Sequence, residues 1–292
     1  MLKKSMLLFT LLVSSGCAKI GLFVANVPAK FSNNQQHKNI SYGSQPWQLL
    51  DIYIPEPSTT KNIKTQTKLP VVIFFYGGSF EDGNKQMYQF MGEAFANKGY
   101  ITVIADYEKF PKVKFPEFIQ DGAKAVAWVH QFIEQYGGDS NQLYISGHSA
   151  GAYIGAMICA NNEYLAPYGL DHSIINAFAG LAGPYDFEPN TDNLKAIFSP
   201  VEDDYSQMQV THFIEGNEPA MLLIWGEQDK LVYRRNIELL SNKIIEKNGL
   251  VTTKFYTQMN HVDMIKNMMW MLPTKQSILD EIIPFFELHT TK

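Results

Sequence analysis

"YISGHSAGAYIGAM", Tyr144 to Met157, sets one serine between glycines, as Gly147-His148-Ser149-Ala150-Gly151. Apolar residues lead into the stretch and small residues follow it. A buried strand therefore gives way to a small-residue helix, Ala150 to Ala160, at Ser149 itself. A serine in that place has two readings. Either it caps the first turn of the helix with its side chain, or the turn exists to hold its hydroxyl clear of the strand end for chemistry. The pattern G-x-S-x-G marks a nucleophile elbow only between a strand and a helix, and that is the context here. The amide of Ala150 would then open a helix whose first N–H groups lack intrahelical acceptors.

Outward from the serine, "LPVVIFFYGG" (Leu69 to Gly78), "GYITVIADY" (Gly99 to Tyr107), "QLYISG" (Gln142 to Gly147) and "AMLLIWG" (Ala220 to Gly226) are near-continuous apolar runs. Such runs read as strands buried on both faces. "TTKFYT" (Thr252 to Thr257) is a shorter strand, and "LLDIYIP" (Leu49 to Pro55) alternates like an exposed edge. Helical spacing links Ile119, Ala123, Val126 and Ile133. Val232 through Lys247 form another helix, closed by Asn248-Gly249. A last helix spans Lys275 to His289, with Pro284 bending or dividing it. "STTKNIKTQTK" (Ser58 to Lys68) is a polar loop. Strands alternating with helices predict an α/β fold, a mostly parallel central sheet flanked by helices. No interdomain linker is legible after residue 40. The expectation is a single catalytic domain, 42–292, behind an N-terminal extension, 18–41.

The 292 residues are 46% hydrophobic and 18% charged, a balance that fills a sizeable core. A net charge of −5 and the lack of a Lys/Arg stripe argue against a nucleic-acid partner. No CxxC or HExxH pattern supports a metal.

The N-terminus, "MLKKSMLLFTLLVSSGC", has two lysines, an apolar run from Met6 to Val13 and small residues ending at Cys17. It reads as a signal peptide, 1–17, of the lipoprotein type, with Cys17 lipidated and the protein extracytoplasmic and membrane-anchored. Ser14 stands where that pattern usually has Leu, so a plain secretory signal, giving a periplasmic or secreted protein, and a retained stub stay open. With Cys17 lipidated, Cys159 has no disulfide partner in the chain.

Two features favour chemistry over capping. "FFYGGSFEDG" (Phe74 to Gly83) follows a buried strand and supplies glycine-rich backbone. Gly78, Ser79 and Gly77 are candidate N–H donors to an oxyanion beside Ala150. "LLIWGEQDKLV" puts Asp229 just past a buried strand, and "QMNHVDMI" puts His261 just past the next. The order Ser149, Asp229, His261 is that of a serine nucleophile, an orienting acid and a base on a parallel sheet. Asp263 and Asp186 compete for the acid's role, and Asp229 is preferred because its loop follows the preceding strand. His148 adjoins the nucleophile, and its side chain is expected to point away.

Taken together, "YGGSF", "ADYEKFPKVKFPEFIQDGAKAVAWV", "GHSAGAY", "GLAGPYDF", "LLIWGEQDKLV" and "NHVDM" resemble α/β-hydrolase carboxylesterases, from about Tyr42 to Phe286. The branch is that of hormone-sensitive lipases and arylformamidases, close to isoprenylcysteine methylesterases. The resemblance implies the α/β-hydrolase fold and hydrolysis of small carboxylic esters or formamides without a cofactor. Two positions depart from the family. It often has His where Tyr76 stands, and it commonly reads Tyr-Arg-Leu where this chain has Tyr107-Glu108-Lys109. Phe80 and Tyr185 are candidate pocket walls, with core packing the competing role. The expected function is a serine esterase acting on a small-molecule ester through an acyl-enzyme. An arylformamidase acting on N-formylkynurenine is the alternative, and a hydrolase-fold binding protein without turnover is the alternative of another class. The oligomeric state is left open.

Overall fold

The structure, a computed structural model, describes residues 25–57, 68–269 and 277–290. The expected signal with Cys17 and nearly all of the Ser58–Lys68 loop lie outside the described residues.

Eight strands form one sheet: β1 Gln35–Ser41, β2 Leu49–Ile54, β3 Leu69–Phe75, β4 Ile101–Ala105, β5 Gly138–His148, β6 Ile175–Leu181, β7 Ala220–Gly226 and β8 Val251–Tyr256. Their spatial order is β1-β2-β4-β3-β5-β6-β7-β8. β1 and β2 run antiparallel, as do β2 and β4, and every other pair is parallel. The helices are α1 Gln89–Ala96, α2 Glu117–Phe132, α3 Ala150–Ala160, α4 Asp192–Ile197, α5 Arg235–Glu246, α6 Asp263–Lys266 and α7 Leu279–Leu288. All of β4 and β7 is buried, as their unbroken apolar runs require. Helix α3 is buried on every side, which suits its content of Ala and Gly under the sheet. This is the α/β-hydrolase fold.

Several elements differ from the reading of the sequence. β6 went unrecognised because "INAFAGL" is rich in Ala and Gly, poor strand formers. Position overrides propensity there, since β6 lies between β5 and β7. β1, "QQHKNIS", has no apolar run because it is the solvent-facing edge. β2 is therefore not an edge strand. The sheet also begins before residue 42. Around it, Ser32 Oγ, Asn34 Nδ2 (2.8 Å) and Gln36 Nε2 (2.5 Å) donate to the carboxylate of the buried Glu93 in α1, so this segment belongs to the domain. Finally, α7 runs through Pro284 without dividing.

The parallel strands all end at one edge. The loops after β3, β5, β7 and β8 carry residues 77–83, Ser149, Asp229 and His261 to that edge.

Candidate active site

Ser149 has φ 56° and ψ −124°, and its side chain makes no capping bond to α3. A capping serine sits in the extended region and accepts from the second or third amide of the helix, so capping does not account for this residue. Torsions of this kind in a non-glycine residue cost about 1–3 kcal/mol and need support from their surroundings. The support is main-chain and steric. Ser149 N donates to Leu181 O at 2.9 Å, and Tyr153 N donates to Ser149 O at 3.1 Å. Helix α3 then passes so close to the end of β3 that a Cβ on Gly151 would lie 2.1 Å from Phe75 O.

The loop after β3 runs beside the serine. A Cβ on Gly77 would stand 3.0 Å from Ser149 Cβ. Gly78, Ser79 and Phe80 all have positive φ, at 146°, 53° and 65°. Glu81 N and Asp82 N both donate to Gly78 O at 2.9 Å, and Phe110 N donates to Phe80 O at 2.9 Å. Ser79 is exposed at the crest. Phe80 is not a pocket wall. Its reversed backbone turns the ring inward against Phe118, Tyr153 and Phe198, with centroids 4.9, 5.5 and 5.5 Å away, and this anchors the loop. Tyr185 is likewise core. It is fully buried against Gly180 and Gly183.

The two departures from the family pattern meet under this loop. Tyr76 donates its hydroxyl to Asp106 Oδ1 at 2.8 Å and accepts from Lys109 Nζ at 3.1 Å. Lys109 also donates to Tyr107 O at 2.7 Å and lies over the rings of Tyr76 and Tyr107. Tyr107 in turn donates to Tyr76 O at 2.7 Å. Burial holds the Lys109 ammonium below its ordinary pKa, against the pull of Asp106. Burial also pushes the Tyr76 phenol well above its ordinary pKa, so it stays a neutral donor. Lys109 thus braces the stem of the 77–83 loop.

At the other side, His261 Nδ1 and Asp229 Oδ2 are 2.7 Å apart, and the Asp229 side chain is fully buried. Asp229 Oδ1 accepts from Leu231 N (2.8 Å) and Val232 N (3.0 Å), so α5 starts later than expected, at Arg235. Burial alone would raise the Asp229 pKa. The bonds from His261, Val232 and Leu231 outweigh it and hold the carboxyl below its ordinary value. An ionised carboxylate only accepts, so Nδ1 of His261 carries the proton and Nε2 is left unprotonated. The competing acids are engaged elsewhere. Asp263 Oδ2 accepts from Asn260 N at 3.1 Å, and Asp186 Oδ2 accepts from Thr211 Oγ1.

His148 does not point away. Its Nε2 lies 2.9 Å from His261 O, and the two rings are 4.7 Å apart. The residue next to Ser149 therefore touches His261, which brings the turn at Ser149 and the His261 loop together. Burial pushes the His148 pKa down to about 3, with the neighbouring His261 adding to the shift.

The BD-FAE family model matches residues 50–244, a span that includes Ser149 and Asp229 and stops before His261. The chain belongs to the BD-FAE family. Among relatives, a probable isoprenylcysteine alpha-carbonyl methylesterase of Oryza sativa subsp. japonica is 30% identical over 195 residues, 65% of this chain and 44% of that protein. A kynurenine formamidase of Salmo salar is 32% identical over 151 residues, 52% of this chain and 47% of that protein. The match thus spans less than half the length of these curated relatives. Esterase B of Lactobacillus rhamnosis superposes with a TM-score of 0.78 over 99% of this chain and 97% of its own. At 18% identity, that likeness speaks to the fold.

Reading this BD-FAE chain as a sequence missed the Tyr76–Lys109 brace and the His148–His261 bond. It also missed a cleft of about 480 Å³. Phe187 and Gln209 line the cleft from the segment after β6, and Tyr233 and Arg235 from the segment after β7. Tyr233, 63% exposed directly after the buried Val232, is the one signal that alternation could have offered.

Proposed function

We propose that the protein is a serine hydrolase of small carboxylic esters. The observation that carries this reading is the buried Asp229–His261 pair at 2.7 Å, on the same sheet edge as a serine held at φ 56° with no capping role. Ser149 Oγ attacks the ester carbonyl while His261 Nε2 takes its proton. The carbonyl oxygen becomes an oxyanion, which meets the amides of Ala150 and of the Gly77–Ser79 backbone. Each such donor contributes about 10²–10³ in rate. The C–O bond then breaks, and His261 returns the proton to the leaving alkoxide. Water attacks the acyl-enzyme with His261 again as base, releasing the carboxylate and restoring the serine. Asp229 keeps Nδ1 protonated throughout and stabilises the imidazolium. No step calls for a cofactor.

The likeness to the kynurenine formamidase favours a second substrate for the same machinery, an aryl formamide. Purified protein assayed on p-nitrophenyl acyl esters of graded length and on N-formylkynurenine separates the two. A fluorophosphonate adduct is expected to map to Ser149 by peptide mass spectrometry. The folded Ser149→Ala variant should lose it, together with about 10⁴–10⁶ in kcat. Labelling of another serine, or full activity in Ser149→Ala, overturns the reading.

A further inference from the structure

The elbow and the base loop approach the sheet edge from different strands, and one side chain joins them. His148 leaves the last residue of β5 and is buried. Its Nε2 lies 2.9 Å from the main-chain carbonyl of His261. A carbonyl only accepts, so His148 is the tautomer protonated at Nε2. Its ring stands 4.7 Å from the His261 ring. Its other nitrogen faces the oxyanion loop, where a Cβ on Gly77 would come within 3.0 Å of Nδ1. One imidazole thus lies between elbow, oxyanion loop and base.

We propose that His148 is a positioning residue of the hydrolytic site, whose Nε2–H holds the base loop in register with the nucleophile by binding the carbonyl of His261. The proposal rests on the serine-hydrolase reading. The base loop has other bonds, but they serve other ends. Asn260 Oδ1 accepts from Val262 N (3.0 Å) and Asp263 N (3.1 Å), which shapes the loop internally. Gln228 N donates to Met259 O at 3.0 Å, which joins the loop to that of the acid. The His148 bond ties it to Ser149's own turn. The elbow is held by main-chain hydrogen bonds and by the close approach of Gly151 to Phe75 O, so a bond from it sets where the imidazole of His261 stands relative to Oγ. Catalytic groups displaced by about 1 Å lose on the order of 10²-fold in rate. His148 also stays neutral. Burial disfavours its cation, with the neighbouring His261 adding to the effect against the opposing pull of Asp229. It therefore keeps one tautomer and puts no second positive charge beside the imidazolium that forms on His261.

The test compares His148→Leu, which removes the donor, with His148→Gln, whose amide nitrogen lies as many bonds from Cα as Nε2 does. Steady-state kinetics on p-nitrophenyl acetate, fluorophosphonate labelling rates and melting temperatures are measured on wild type and both variants. His148→Leu is expected to lose about 10–10² in kcat with KM within about twofold, and to label more slowly by the same factor. His148→Gln should recover most of both. Should His148→Leu fail to fold, His148→Asn takes its place, because its amide stops one bond short of the carbonyl. Wild-type kcat and labelling in a variant without the donor overturn the proposal. So do equal losses in the Gln and Leu variants that track a common fall in melting temperature. If wild-type protein does not label at Ser149, the serine-hydrolase reading itself fails, and the proposal falls with it.

Discussion

The turn at Ser149 and the Asp229–His261 pair reach one edge of the sheet under different constraints. Ser149 stands at φ 56° with no bond from its own side chain to the helix, held by close backbone approach. Asp229 instead places each carboxylate oxygen in hydrogen bonds, one to His261 and one to two amides. Shape fixes the first, and directional polar contacts fix the second. Shape fails all at once, because two main chains cannot both yield. Hydrogen bonds fail by degrees, because a bond can be weakened or reversed while its frame stays. The two halves should therefore respond differently to small changes.

Gly151→Ala tests the steric half and has the largest expected effect on folding. The added Cβ would lie 2.1 Å from Phe75 O and 2.5 Å from Tyr76 O, both main-chain atoms at the stem of the 77–83 loop. No rotamer relieves that contact. A loss of about 3 kcal/mol or more is expected, with α3 displaced or the protein insoluble. Urea unfolding and soluble yield measure it. A variant of normal stability would mean that helix and strand slide apart easily, and the contrast between the halves would weaken.

Asp229→Asn tests the polar half. The amide oxygen can keep the bonds from Leu231 and Val232, so the fold should hold. The new NH₂ would face His261 Nδ1 and force it to accept, moving the ring proton to Nε2, where the base must be free. A fall of about 10³–10⁴ in kcat is expected, with a melting temperature near that of wild type. Histidine ¹⁵N shifts report the tautomer directly. Unchanged shifts with a large kinetic loss would reassign the effect to charge rather than orientation.

The same contrast explains what could be read from the sequence. Ser149 and Asp229 each follow an apolar run within a few residues, and His261 follows the shorter strand β8, so alternation of strand and loop brought all three to one edge. The apolar core of the sheet was legible for the same reason. β6 was not, because Ala177, Ala179 and Gly180 carry no strand signal and are strand only through their neighbours on both sides. β1 was not, because its residues face water. Phe80 looked like a pocket wall because it follows glycines near the site. Only the positive φ at Ser79 and Phe80 turns its ring into the core. Tyr76 and Lys109 are 33 residues apart, and His148 and His261 are 113 apart. Contacts of that separation have no local period to announce them.

His148 belongs to both halves, and the smallest predicted effect concerns it. Its pKa falls from an ordinary 6.5 to about 3 in the fold, chiefly through burial. A histidine depressed in this way adds nothing to the pH dependence where folded and unfolded chains are both neutral. Below about pH 6.5 the unfolded chain binds a proton that the folded one refuses, so stability is lost as the pH drops toward about 3. Between about pH 7 and about pH 5 the loss from this one residue is about 2 kcal/mol. Asp229, whose pKa is depressed from 3.8, adds a loss of the same sign at lower pH. His148 therefore contributes between pH 7 and 5, a range in which the lowered carboxyl of Asp229 stays ionised. His148→Gln should flatten that slope by about 2 kcal/mol, read as the difference in urea unfolding free energy between the two pH values in wild type and variant. The shift is an effect of shape, since it comes from burial beneath the elbow, whereas the bond it protects is polar. Equal slopes in the two proteins would mean that solvent reaches the ring. His148 would then be part of the adjustable half of the site, and the line between the halves would have to be drawn on the other side of it.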